Sequence, residues 1–230
     1  MGISKLFSKL IPKTIYEQDS PISGKIRVTK KGDEQRLEVN SVCQSVDPST
    51  PDVGLRYWGQ IAEQASPRLK DGGQALLLGV GGGTVAHLLT KRIPQLKIYG
   101  VELDPVIIAV AEKYFNLGSL TNLTLVQADA LEVLEDLEKF SLPKEWQLII
   151  VDLYCGGKFP AEVGGISFLR KVKHALAEDG WAIFNRVRHS LADHQLDEFL
   201  ERVEKVFSGF EVVEVPGPSG FINVLVLVRV

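Results

Sequence analysis

The sequence predicts an α/β fold, a parallel sheet covered by helices on both faces. Three observations carry this expectation. From residue 74 onward, short apolar runs alternate with helical segments; such alternation places strands side by side, with crossovers over both faces. The first run closes in a glycine-rich turn, Leu78-Gly79-Val80-Gly81-Gly82-Gly83-Thr84. The next two close beside acids, in Val101-Glu102-Leu103-Asp104 and Gln127-Ala128-Asp129-Ala130.

At the N-terminus, Ile3, Leu6, Phe7, Leu10 and Ile11 fall at helical spacing. A short helix is expected there, packed on the body or on a partner subunit, with a membrane-surface helix as the alternative because lysines flank its apolar face. Its lysines are too frequent for a signal peptide, and Leu6 stands where a myristoylation motif needs Ser or Thr. Residues 14–46 alternate apolar and polar in Thr14-Ile-Tyr-Glu, Lys25-Ile-Arg-Val-Thr and Arg36-Leu-Glu-Val-Asn. Turns at Pro21/Gly24 and at Lys31-Gly32-Asp33 make this a small N-terminal β-hairpin region. The proline-flanked stretch 47–52 is a loop, and a helix follows over 54–67. The division expected is an N-terminal region over 1–53 and the main domain over 54–230.

Within that domain, strands are expected at 74–79, 97–101, 123–127, 147–152 and 181–186. Helices fill 84–91, 105–114, 130–140, 167–177 and 191–207. The segments 210–215 and 221–230, joined by Pro216-Gly-Pro-Ser-Gly220, form a C-terminal antiparallel hairpin.

Composition narrows the function. Of 230 residues, 45% are hydrophobic and 24% charged, which excludes a disordered or fibrous chain. With 26 basic against 29 acidic residues, no global field draws nucleic acid, and no nucleic-acid partner is expected. No run approaches the ~18 apolar residues of a membrane span, so no membrane association is expected and the cytoplasm is the default compartment. Cys43 and Cys155 lie far apart and the four histidines lack ligand spacing, so neither a disulfide framework nor a metal site is expected.

Glycines where the first strand meets the first helix let a ligand approach bare backbone. Glu102 lies 23 residues after Gly79, where an acid accepts hydrogen bonds from ribose hydroxyls. Asp129, with the N–H of Ala130 beside it, suits the edge of an adenine. Three strand ends in a row thus offer a nucleoside site. Position 6 of a dinucleotide fingerprint starting at Gly79 is Thr84 rather than Gly, which weakens an NAD reading. The Gln-Ala-Asp-Ala signature and closing hairpin point instead to a Rossmann-like class I S-adenosylmethionine-dependent methyltransferase fold.

On these motifs the chain resembles the spermidine/spermine synthase family over nearly its whole length. Thr14–Val28 looks like that family's N-terminal β-hairpin region. Val42-Cys-Gln44-Ser is similar to its Val-Gln segment, whose glutamine lies near the amino-acid end of the nucleoside. Leu55-Arg-Tyr57-Trp58 is similar to its Tyr-His pair. Gly79–Gly83 stands where the family has Gly-Gly-Gly-Asp-Gly, and Ile149-Ile-Val-Asp152 matches the strand that carries catalysis. The resemblance implies cofactor contacts from Gln44, Gly79, Gly81, Gly83, Glu102, Leu103, Asp129 and Ala130. It also implies aminopropyl transfer from decarboxylated S-adenosylmethionine to a polyamine.

The departures fall at the reacting centre. The family's Asp-Ser-Ser-Asp-Pro reads Asp152-Leu153-Tyr154-Cys155-Gly156 here, so the second aspartate is lost at Cys155. The glycine-loop aspartate is Gly82, and the Tyr-His pair is Tyr57-Trp58. A polyamine is a chain of ammonium groups and needs carboxylates along its channel. Between 152 and 160 there is one carboxylate beside Lys158, and Glu162 is the next acid. Asp152 and Tyr154 are therefore the candidate catalytic residues, and Asn185-Arg-Val-Arg188-His189 is the basic patch best suited to a substrate carboxylate or phosphate. Methyl transfer from S-adenosylmethionine to a small-molecule acceptor is the leading expectation. Aminopropyl transfer is the first alternative and a non-catalytic nucleoside-binding module the second. A homodimer is expected because the family assembles through its N-terminal region.

Overall fold

The computed structural model describes residues 11–69, 72–154, 159–188, 193–217 and 220–230. The expected N-terminal helix lies almost wholly outside them.

The N-terminal region forms a four-stranded antiparallel meander: β1 (Lys13–Ser20), β2 (Gly24–Lys31), β3 (Glu34–Val39) and β4 (Val42–Val46). The sequence pattern shows the first three strands; the fourth extends the hairpin region into a sheet. Its period-2 pattern buries Ile26, Val28, Leu37 and Val39 on one face, against Ile107, Val110 and Phe115 of the helix Pro105–Phe115.

After a 3₁₀ turn at Val53–Leu55 come α1 (Tyr57–Ala65), β5 (Gln74–Leu78), α2 (Thr84–Arg92), β6 (Lys97–Glu102) and α3 (Pro105–Phe115). The chain continues through β7 (Leu123–Gln127), α4 (Ala130–Glu135), β8 (Trp146–Val151), α5 (Ile166–Ala175) and β9 (Leu176–Arg188). It ends with α6 (His194–Val206), β10 (Phe210–Pro216) and β11 (Ile222–Arg229). These strands form one seven-stranded sheet in the order β10-β11-β9-β8-β5-β6-β7. Strands β5 to β9 run parallel, and β11 runs antiparallel to both β9 and β10. The expected α/β architecture with a closing hairpin is therefore the one observed.

The central strands read as unbroken apolar runs because both faces are buried. Leu76, Leu78, Ile149, Val151 and Phe184 face α4, α5 and α6. Leu77, Leu148, Ile150 and Ile183 face α1 and α2. β5 sits between β6 and β8. The strand order reverses there, with β6 and β7 to one side and β8 and β9 to the other, and the crevice at the carboxyl ends opens at such a point.

Several boundaries differ from expectation. α4 stops at Glu135 rather than reaching 140, because Asp136 accepts the N–H of Lys139 and Leu142 donates back to the Leu137 carbonyl, closing a separate turn. α5 ends two residues early because Leu176 already pairs with Trp146, so β9 begins there. α6 starts at His194, capped by Asp193, which accepts the N–H of Leu196. Among the described residues no helix is long and apolar enough to cross a membrane.

Candidate active site

A cleft of about 320 Å³ opens over the carboxyl ends of β5 to β8 and is roofed by residues of the N-terminal sheet. Gln44, Gly79, Gly81, Glu102, Leu103, Asp129, Ala130, Asp152 and Tyr154 all line it. Gly83 does not. It caps α2 at φ +84°, and a Cβ there would stand 2.4 Å from Leu117 Cδ1, so this glycine serves packing behind the cleft.

The side formed by β5, β6 and β7 is held by backbone donors. Glu102 takes the N–H of Gly81 at 2.9 Å on one oxygen and that of Asp104 at 3.1 Å on the other. Burial pushes its carboxyl above the ordinary range, and these amides oppose the shift. The amides of Leu103 and Val80 act on the same carboxylate, so backbone N–H groups converge on it at the cleft wall. Asp129 lines the cleft and caps α4, accepting the N–H of Leu131 at 2.8 Å. Gly79, at φ +89°, leaves 2.2 Å between a notional Cβ and the Asp152 carbonyl oxygen. The ends of β5 and β8 can meet only across a glycine.

The N-terminal sheet fixes the glycine turn from above. Gly82 donates its N–H to Ser45 Oγ at 2.8 Å, and Thr84 Oγ1 exchanges hydrogen bonds with both backbone groups of Val46. A Cβ at Gly82 would lie 2.8 Å from Ser45 Cβ, so the approach of β4 leaves no room for an aspartate there. Leu37 pairs with Ser45 and Glu38 with Cys43, so Gln44 is the extra residue of a β-bulge. The bulge brings the consecutive residues Gln44 and Ser45 both onto the cleft, which strict alternation forbids.

The opposite side is formed by β8, β9 and the segment 159–163. Asp152 extends β8, its N–H bound to the Leu78 carbonyl at 2.9 Å. Burial pushes its carboxyl up to about 6; the Asn185 amide, donating at 2.8 Å, and the Tyr57 hydroxyl hold it from rising further. Tyr154 donates to the Asn185 carbonyl at 3.1 Å, and burial raises its phenol far above the ordinary value, so it stays protonated. Tyr57 and Trp58 pair at 4.2 Å between ring centres and line the cleft as well as the core. Glu162 reaches this wall, which gives this side of the cleft a second carboxylate besides Asp152.

Sequence reasoning passed over Ser45 and the carboxylate-holding role of Asn185. The signal for Ser45 was its place beside Gln44. Asn185 gave none, because its approach to Asp152 depends on the pairing of β8 with β9. The basic patch around it divides: Arg188 pairs with Glu214 at 2.8 Å, Arg186 is buried, and His189 lies outside the described residues. Cys155, Gly156, Gly157 and Lys158 lie outside them too. The Cys43 thiol is pushed up to about 11 by burial, which removes it as a nucleophile. No cluster of three metal-ligating side chains occurs among the described residues.

A nucleoside-sized slot at the switch point of this sheet defines a Rossmann-like protein of the class I S-adenosylmethionine-dependent methyltransferase fold. A solved spermidine synthase in complex with the transition-state analogue AdoDATO superimposes with a TM-score of 0.78 at 18% identity, over 94% of this chain and 73% of that one. The chain belongs to the family described as the spermine/spermidine synthase domain, whose profile matches residues 56–227. Among curated relatives it is similar to a polyamine aminopropyltransferase of Vibrio vulnificus, 28% identical over 147 residues, covering 63% of this chain and 47% of the relative. It is also similar to an N-terminal histidine N-methyltransferase of Emericella nidulans, 31% identical over 119 residues, covering 52% of this chain and 21% of the relative. The chain thus spans less than half the length of either relative.

Proposed function

We propose that this chain is a transferase that binds S-adenosylmethionine and moves its methyl group to a nitrogen of a small amine acceptor, with Asp152 taking the proton. The observation that carries the reading is the buried Asp152 carboxylate, oriented by Asn185 and Tyr57 at the junction of the nucleoside slot and the acceptor wall. Both curated relatives are named for transfers within this chemistry, one of an aminopropyl group and one to a histidine nitrogen.

The residues present fit the adenosyl group. Glu102 would hold the ribose hydroxyls and Asp129 the adenine edge, and the bare backbone at Gly79 and Gly81 leaves room for the nucleoside. When bound, the sulfonium supplies an electrophilic carbon open to in-line displacement. The chain's own part is positioning and proton handling. Tyr57, Trp58 and Tyr154 wall off water, and Asp152, titrating near 6, is ionised at neutral pH and accepts the proton that an amine must lose.

Methyl transfer is favoured over aminopropyl transfer by charge. Decarboxylated S-adenosylmethionine ends in an ammonium with no carboxylate beside it and needs an acid at the glycine turn. Position 82 is a glycine pressed against Ser45. S-adenosylmethionine loses the same partner for its ammonium but carries its own carboxylate as a counter-charge, and that carboxylate suits an amide such as Gln44 together with backbone N–H groups. Family membership and the second carboxylate at Glu162 favour the aminopropyl reading. A homodimer joined through the N-terminal sheet belongs to either reading, and sedimentation at the monomer mass counts against it.

Calorimetric titration with S-adenosylmethionine and with its decarboxylated form separates the two. Tighter binding of S-adenosylmethionine is expected. Tighter binding of the decarboxylated form reverses the choice, and binding of neither removes the transferase assignment.

A further inference from the structure

Asp104 is only 1% exposed and has no part in the chemistry derived for the cleft. A carboxylate that deep must be satisfied by donors. One oxygen, Oδ1, accepts the N–H of Val106 at 2.9 Å and caps α3. Capping needs no more than that. The other oxygen, Oδ2, accepts the hydroxyl of Ser20, 84 residues earlier at the end of β1. The Asp104 N–H in turn donates to Glu102 Oε1 at 3.1 Å. One buried residue thus joins α3, the N-terminal sheet and the acid at the end of β6.

Ser20 builds a turn with the same hydroxyl oxygen, which accepts the N–H of Ile22 at 3.1 Å and that of Ser23 at 3.3 Å. Asn40, which follows β3, donates Nδ2 to the Ser23 carbonyl at 2.9 Å and accepts the Lys25 N–H at 3.0 Å. These bonds set the shape of residues 21–23 between β1 and β2. The bond from Ser20 to Asp104 adds nothing to that shape; it fixes where the turn sits, against the end of β6. Ile22 and Ser23 line the cleft, as do Glu102 and Leu103. The hydrogen bonds of Ser20 and Asp104 therefore run from one wall of the cleft to another through the interior.

We infer that Ser20 and Asp104 are a positioning pair: they hold the turn 21–23 in place as a wall of the cleft and tie it to Glu102, so that affinity for a nucleoside depends on how the N-terminal sheet is docked. This rests on the nucleoside-binding reading of the cleft. Each residue acts through neighbours that line the cleft, Ser20 through Ile22 and Ser23, Asp104 through Glu102. The coupling is reciprocal: a nucleoside that binds better with the turn docked also keeps the turn docked.

The test is calorimetric titration of the full chain with methylthioadenosine, for wild type, Ser20→Ala, Ser20→Thr, Asp104→Asn and the double variant of Ser20→Ala with Asp104→Asn. Ser20→Ala is expected to bind about tenfold more weakly, the scale of one lost hydrogen bond to a charged group, at unchanged stoichiometry. Asp104→Asn keeps an oxygen for Val106 but turns an amide toward Ser20, and is expected to lose about as much. The double variant should lose no more than either single variant, because both remove the same bond. Ser20→Thr keeps the hydroxyl and should keep most of the affinity. In hydrogen exchange, methylthioadenosine should slow the Ile22 and Ser23 amides in wild type and slow them less in Ser20→Ala. Wild-type affinity in Ser20→Ala, additive losses in the double variant, no ligand effect on exchange in the turn, or a fall in stoichiometry at unchanged Kd, which marks a partly unfolded sample, overturns the proposal. Any of these with wild-type binding intact removes the pair alone; absence of binding by wild type removes the reading beneath it.

Discussion

Along β5, β6 and β7, the groups that face the cleft are already tied to the protein: Glu102 to Gly81 and Asp104, Asp129 to Leu131, Ser45 to Gly82. Across the same cleft, at β8 and β9, Asn185 Oδ1 and Arg186 Nη1 are buried without partners, and Asp152 and Tyr154 titrate far from their ordinary values. The first side is preorganised by backbone amides and can take a ligand without rearranging. The second holds buried polar atoms whose hydrogen bonds are unmade, which costs stability. Of the three positions at which this chain departs from the motifs it resembles, Gly82 lies in the glycine turn of the first side, Trp58 lines the cleft and Cys155 falls outside the described residues.

The seam between the two sides is the place to break them together. Gly79→Ala combines positive φ with a Cβ 2.2 Å from the Asp152 carbonyl. It is expected to cost about 3 kcal/mol or more in urea denaturation and to abolish cofactor binding with it.

Asp152→Asn sharpens the contrast on the acceptor side. The folded-state carboxyl titrates near 6 against an ordinary 3.8, so the folded chain holds that proton more tightly than the unfolded chain. The resulting stabilisation is complete below about pH 4 and is lost as pH rises through about 6. Asp152→Asn, which never ionises, should therefore match wild type below pH 4. Above pH 7 it should exceed it by about 2–3 kcal/mol, while losing turnover. Denaturation curves at pH 4 and 8 check this; a variant less stable at pH 8 means the carboxylate is not destabilising in place.

Ser45→Ala has the smallest expected effect. It removes one acceptor for the Gly82 N–H and is expected to cost about 1 kcal/mol and to weaken S-adenosylmethionine binding a few-fold in calorimetry.

The same division marks what the sequence shows. Strand ends are local: the glycine turn, Glu102 and Asp129 each lie beside the apolar run that places them, and their spacing predicts this side of the cleft directly. The acceptor side is assembled by distant contacts. Asn185 reaches Asp152 only through the pairing of β8 with β9, and Glu162 joins the cleft through a loop whose path no periodicity sets. The bulge at Gln44 was hidden for the opposite reason. The residue was legible, but the register slip that puts both it and Ser45 on the cleft leaves no mark in an alternating pattern. Helix ends failed where a polar side chain captured a nearby amide, as Asp136 does after α4.

Methylthioadenosine carries the nucleoside without the amino-acid end, so its binding isolates one half of the cleft. It should be titrated calorimetrically into wild type, Asp129→Asn and Asp152→Asn. Asp129→Asn keeps a capping oxygen for Leu131 but turns an amide toward the adenine edge. A loss of about tenfold or more in affinity is expected there, corresponding to one hydrogen bond to a charged group, with wild-type affinity kept in Asp152→Asn. Loss of binding in Asp152→Asn with none in Asp129→Asn would contradict the assignment of the two sides.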